Sequence, residues 1–161
     1  MSPSRWFDAA TRSGVDFVAG VPCSYLAPFF AACQELPPTA FLRATREDHA
    51  VAACAGAWLG GRTPLAVMQN SGLGYCLEAL ASLHLLYGLP LPMLVSDRGT
   101  PSDFEEHRFL GQRTRALLDL FAIPWLDGVR GQEDQAMDWL LTTAARGSRP
   151  AVVLVGPEER G

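Results

Sequence analysis

The sequence predicts an α/β fold: three layers, with a mostly parallel sheet of about six strands and helices on both faces. Two observations lead there. Helical and strand-like segments alternate along nearly the whole chain. The strand-like segments are near-continuous apolar runs, the pattern of parallel strands covered on both faces. At 161 residues the chain fits a single domain, 1–161. That length hides roughly two-thirds of its surface on folding, enough for a sizeable core.

The elements follow in order. Ser2-Pro3 predicts a helix start and Gly14 its end. Asp16 to Ala19 is a short strand closed by Gly20-Val21-Pro22, and Tyr25 to about Gln34 a helix stopped by Pro37-Pro38. Phe41 to Ala44 is the second strand. The next helix, from about Asp48 to Leu59, sets Ala50, Val51, Cys54, Ala57 and Trp58 on one face. Thr63 to Gln69 is a third strand, Asn70 to Gly74 a small-residue loop, and Tyr75 to Tyr87 a long apolar helix ended by Gly88. Pro92 to Ser96 is the fourth strand. Asp97 to about Gly111 is the longest unpatterned stretch and predicts a polar loop. Gln112 to Phe121 is helical, Pro124 to Leu126 a short edge strand, Glu133 to Arg146 the last helix and Ala151 to Val155 the last strand.

Composition excludes several functions. Apolar residues make up 48% and charged residues 19%, and the charge sum is 13 − 17 = −4. That argues against a nucleic-acid-coating surface or a polybasic membrane anchor. All 13 basic residues are arginine, so a Schiff-base lysine and a P-loop lysine are both excluded. Cys23, Cys33, Cys54 and Cys76 form no C-x-x-C pair, and His49, His84 and His107 no H-x-x-x-H, which argues against zinc. Reduced, mostly buried thiols, the lack of a signal-peptide core and the short apolar runs predict a cytoplasmic protein that does not enter membranes.

In doubly wound sheets ligands sit beyond the carboxyl ends of the strands. That rule selects Gly20 to Ser24, Thr45 to His49, Gln69 to Gly74 and Asp97 to His107. Glu47 is either a helix-end carboxylate, worth about 0.3–1 kcal/mol, or an acid that another surface buries against the small residues Ala50, Ala53, Ala55, Gly56 and Ala57. Burial would raise its pKa and let it share a proton with a ring nitrogen. Gln69-Asn70-Ser71-Gly72-Leu73-Gly74 is an ordinary strand-to-helix turn, a cradle for a planar polar ligand or a subunit contact. The charges from Asp97 to Arg108 are a solvated loop, or they include a general acid or base in His107 and an anion-binding fork in Arg98. His49 and His84 lie on helices and read as structural. Cys23 and Ser24 can reach a substrate, but no activating base stands beside them.

Taken together, Asp16 to Ser24 with its Gly-Val-Pro-x-Ser run, Arg46-Glu47 with its Ala-rich helix, Gln69 to Gly74, and Arg98-Gly99 with the later His107 form a familiar series. It resembles the pyrimidine-binding domain of thiamine-diphosphate enzymes, specifically the phosphonopyruvate and sulfopyruvate decarboxylases, from about Arg5 to Val155. The resemblance implies that Glu47 bonds the pyrimidine ring nitrogen and promotes the tautomer that removes the thiazolium proton. The resulting ylid attacks a 2-oxo acid and takes up electrons as carbon dioxide leaves. It implies cofactor contacts at Glu47, Gln69, Asn70, Ser71, Gly72 and Leu73, and substrate contacts at Cys23, Ser24, Arg98 and His107. Family phosphonopyruvate decarboxylases usually read Asp-Glu-Pro-Gln-His where this chain has Asp103-Phe104-Glu105-Glu106-His107. Val-Pro-Cys, here Val21-Pro22-Cys23, is commoner in the sulfopyruvate enzymes.

The family's Gly-Asp-Gly…Asn motif for Mg²⁺ and diphosphate is absent. The resemblance therefore implies an α subunit that contributes no metal ligands, whose β subunit holds Mg²⁺ and the diphosphate of thiamine diphosphate, in an α₂β₂ or larger assembly. The expected activity is decarboxylation of 3-phosphonopyruvate to phosphonoacetaldehyde. Alternatives are 3-sulfopyruvate decarboxylation, carboligation with the same cofactor, or a non-catalytic flavodoxin-like binding module.

Overall fold

A computed structural model describes residues 4–157. The predicted helix start at Ser2-Pro3 lies outside the described residues. Ser4 instead caps α1 (Arg5–Arg12), its hydroxyl accepting from Phe7 N at 3.2 Å. The chain continues as β1 (Phe17–Gly20), α2 (Ala27–Cys33), β2 (Phe41–Arg43), α3 (Glu47–Leu59) and β3 (Pro64–Gln69). A 3₁₀ turn, Asn70–Gly72, leads into α4 (Leu73–Ala79), which widens into a π-helical segment, Leu80–Leu85. Then come β4 (Leu91–Ser96), α5 (Glu105–Gly111), α6 (Thr114–Leu120), β5 (Trp125–Asp127), α7 (Glu133–Gly147) and β6 (Pro150–Val155). α5 corrects the expected polar loop. None of its residues is buried, so it lacks the apolar stripe by which a helix is read from sequence.

The six strands form one sheet, order β2-β1-β3-β4-β6-β5, and every pairing is parallel. Alternate residues of each strand feed opposite cores. On one face Val18, Leu65, Val67, Leu94 and Val153 meet Trp6 of α1, Phe29 and Phe30 of α2, and Met137 and Leu140 of α7. On the other, Ala66, Met68, Met93, Val95 and Val152 meet Val51 and Cys54 of α3, Leu73 and Cys76 of α4, and Leu118 of α6. Connections toward the β5 edge run over the α3, α4 and α6 face, and those toward β2 over the other, as a single crossover handedness requires. β1 sends its chain to one face while its neighbours β2 and β3 send theirs to the other. That divergence opens a crevice at the carboxyl ends of the strands. Among the described residues no helix is long and apolar enough to cross a membrane.

His84, in the π-helical segment, is fully buried. Its Nε2 lies 3.2 Å from Val51 O and its Nδ1 3.1 Å from Leu89 O. Burial lowers its pKa from the ordinary 6.5, outweighing the two carbonyls, which raise it. The unfolded chain therefore takes up a proton near pH 6.5 that the native chain refuses, so stability falls as pH drops through that value. The urea midpoint of the wild type should fall more steeply between about pH 8 and pH 5 than that of His84→Gln, which has no titrating ring.

Candidate functional site

All four segments selected by the carboxyl-edge rule lie at the carboxyl ends of β1, β2, β3 and β4, in two clusters. Glu47 opens α3, whose first turn holds two carboxylates, Glu47 and Asp48, at the positive end of the helix dipole. Its side chain lies on Gly72. A Cβ at Gly72 would stand 2.4 Å from Glu47 Cγ and 2.8 Å from Oε1, so only glycine leaves room for the carboxylate. Glu47 is half-buried, and no hydrogen bond or ion pair among the described residues engages its carboxylate. Arg46, beside it, is held by Asp48 at 2.9 Å and reaches over the exposed Tyr75 ring, 5.4 Å from its centroid. Beneath them burial pushes the Cys76 thiol up to about 12, with the Glu47 and Asp48 charges adding to the shift.

The turn after β3 divides its work. The Gln69 amide donates to the Ser71 hydroxyl, and both side chains are half-buried. Leu73 is buried in the core under the turn. Asn70 is 1% exposed, and its Nδ2 reaches Arg98 O at 2.9 Å and Thr114 Oγ1 at 3.0 Å. Asn70 thus braces the turn against the β4–α5 loop and α6 with the amide group that the sequence offered to a ligand.

The second cluster joins the loops after β1 and β4. Arg98 is 5% exposed. Its Nε and Nη2 meet the two carboxylate oxygens of Asp103, each at 2.7 Å, and its Nη1 donates to Ser24 Oγ at 3.0 Å. The guanidinium also lies 4.3 Å from the Tyr25 ring centroid. Asp103 accepts as well from Gly99 N and Phe104 N, both at 2.9 Å. Chiefly through the Arg98 hydrogen bonds, its carboxyl is held well below the usual carboxylate range. Cys23 Sγ sits 3.3 Å from Ser96 Oγ.

Arg98, read from the sequence as an anion-binding fork, has three of its five N–H groups engaged inside the chain and its charge paired with Asp103. Ser24, exposed, and Cys23, half-buried, remain open to a ligand on the same rim. His107 lies on α5, and its ring makes no hydrogen bond to either cluster. Its carbonyl packs against Gly99, where φ is +95° and a Cβ would lie 2.5 Å from that oxygen. Sequence reasoning placed Asp103 among solvated loop charges and missed Tyr25 and Thr114. An aspartate two residues ahead of Glu105-Glu106 is the available signal, since Asp gathers free amides before a helix.

No family model matches the chain. A phosphonopyruvate decarboxylase of Streptomyces viridochromogenes is 43% identical over 117 residues, 71% of this chain and 30% of that protein. The sulfopyruvate decarboxylase subunit alpha of Methanothermobacter thermautotrophicus is 38% identical over 114 residues, 70% of this chain and 69% of that subunit. The chain thus spans under a third of the first relative's length and about two-thirds of the second's. Among solved structures, the 2-oxoglutarate:ferredoxin oxidoreductase of Magnetococcus marinus matches 97% of this chain and 29% of that one, with a TM-score of 0.68 and 18% identity, a likeness of fold alone.

The Arg98–Asp103 pair carries a test. Asp103→Asn keeps the shape and removes the charge, leaving a buried guanidinium uncompensated. We expect a loss of about 3–5 kcal/mol in urea unfolding at neutral pH. Because the Asp103 pKa is lowered from 3.8, its contribution to the wild type is present above that value and is lost only as pH falls through the native value.

Proposed function

The chain belongs to the family of phosphonopyruvate decarboxylases and sulfopyruvate decarboxylase alpha subunits, and we propose that it is the pyrimidine-binding α subunit of a thiamine-diphosphate-dependent 2-oxo acid decarboxylase. The observation that carries this reading is the Glu47 carboxylate, seated on Gly72 at the carboxyl edge with no hydrogen-bond or ion-pair partner among the described residues. A half-buried acid in that position suits a group that shares a proton with a ring nitrogen once a second surface closes over it. Glu47 would hold that proton, Gly72 would keep the approach open, and Gln69 and Ser71 would line the turn beside the ring. When bound, thiamine diphosphate supplies the electron sink for the carbon–carbon bond that breaks as carbon dioxide leaves.

We assign Mg²⁺ and the diphosphate to a β subunit. Support comes from relatives named as alpha subunits, of which this chain covers 69–72%. The outer surface of α3 and the helix after it also fits a partner: Ala52 and Gly56 are exposed and small, and Leu59, Tyr75 and Leu86 are 72%, 63% and 69% exposed. An α₂β₂ or larger cytoplasmic assembly completes the proposal.

The substrate we favour is 3-phosphonopyruvate, because the 43%-identical relative is a phosphonopyruvate decarboxylase. The second reading is 3-sulfopyruvate, favoured by the closer match in length to the alpha subunits. Either substrate brings an anion beyond the 2-oxo acid. With Arg98 neutralised by Asp103, that anion would meet Ser24, Cys23 and His107 from this chain and cations from the partner.

Glu47→Gln should leave the fold intact and slow turnover by about 10²–10⁴-fold. Hydrogen–deuterium exchange at the thiazolium carbon in the assembled complex reads the role directly, and an unchanged rate would reduce Glu47 to a helix-end carboxylate. Calorimetry with thiamine diphosphate and Mg²⁺ should show binding with the partner chain and at least about tenfold weaker binding without it. Values of kcat/KM for 3-phosphonopyruvate, 3-sulfopyruvate and pyruvate then decide the substrate.

A further inference from the structure

Glu47 is only as well placed as α3, and the buried contact between α3 and α4 is apolar. Its buried side chains are Ala50, Val51 and Cys54 against Leu73, Cys76 and Leu80. Such packing is non-directional. The site needs a direction: Glu47 lies on Gly72, the residue that precedes α4.

His84 supplies a directional tie. It lies near the end of the π-helical segment Leu80–Leu85 that follows α4, a rare geometry that gathers at functional sites. Its backbone oxygen accepts from Leu89 N at 2.9 Å, closing the turn before β4. Its ring crosses to α3, placing Nε2 3.2 Å from the carbonyl of Val51, one helical turn beyond Glu47 on the same row. Nδ1 faces the Leu89 carbonyl at 3.1 Å. A neutral imidazole has one N–H, so the two carbonyls compete for it.

We propose that His84 is a positioning residue for Glu47: as the Nε2–H tautomer it donates to Val51 O, fixes α3 along α4, and so holds the Glu47 carboxylate over Gly72. This rests on the reading of Glu47 given above. His84 does not touch the cofactor or the substrate; it acts through the helix.

Two variants separate this role from general stability. The Gln amide nitrogen takes the place of Nε2 and reaches Val51 O. The Asn amide nitrogen takes the place of Nδ1 and reaches only Leu89 O. Backbone amide exchange across α3 is measured by mass spectrometry on the full chain, and kcat and KM on the chain with its partner subunit. His84→Gln should keep α3 exchange and kcat within about threefold of wild type, whereas His84→Asn should speed α3 exchange about tenfold and lower kcat about tenfold at unchanged KM, the effect of one lost hydrogen bond. Thermal unfolding of both variants corrects for any shared loss of stability. The proposal is overturned if the two variants match in exchange and in kcat. A fully active Glu47→Gln overturns the reading of Glu47 and the positioning role with it. An inactive Glu47→Gln beside a fully active His84→Asn overturns the positioning role alone.

Discussion

A parallel sheet buried on both faces leaves its polar side chains one place to go. β3, β4 and β6 are buried almost end to end. A hydrogen-bonding side chain within them would have to find a partner in a layer of Val, Leu and Met, or bear the cost of desolvation. Polar chemistry is therefore displaced to the strand ends, and the divergence of the chain at β1 selects the carboxyl end. Gln69, Ser96 and Arg98 stand where β3 and β4 leave the apolar layer, and Glu47 stands where β2 has already turned into a helix.

Such an edge is made of loops, and loops need fixing. Asp103 does this with one carboxylate, taking four N–H groups: two from Arg98 and one each from Gly99 and Phe104. Arg98 passes the constraint to Ser24 on the β1 loop, and its backbone oxygen passes it to Asn70 on the β3 turn. Gly99 and Gly111 let the two ends of the α5 segment cross closely, since a Cβ at Gly111 would fall 2.2 Å from Arg98 O. Three loops from three strands are thereby held as one rim.

The Glu47 side differs in kind. There the fit is made by subtraction: Gly72 has no side chain, Gly74 and Tyr75 are exposed, and among the described residues no hydrogen bond or ion pair engages the half-buried carboxylate. A rim tied internally on one side and open on the other suits the proposed assembly, in which a second surface completes the site.

By itself the sequence determined the layers, the parallel strands, nearly every helix and the four edge segments. Each depends on local spacing of apolar residues and on Gly and Pro punctuation, which neighbours in the chain can settle among themselves. It also placed Glu47 at the first turn of its helix and Gly72 in a small-residue turn, though not one upon the other. What only the tertiary structure decided was pairing across the chain. Whether Arg98 is a free cation or half of a buried ion pair depends on Asp103 folding back over it, and on Ser24, 74 residues away, meeting its remaining edge. The same holds for Asn70 with Thr114 and for His84 with Val51: each side chain has several possible partners in sequence, and burial leaves only those that the fold brings within reach.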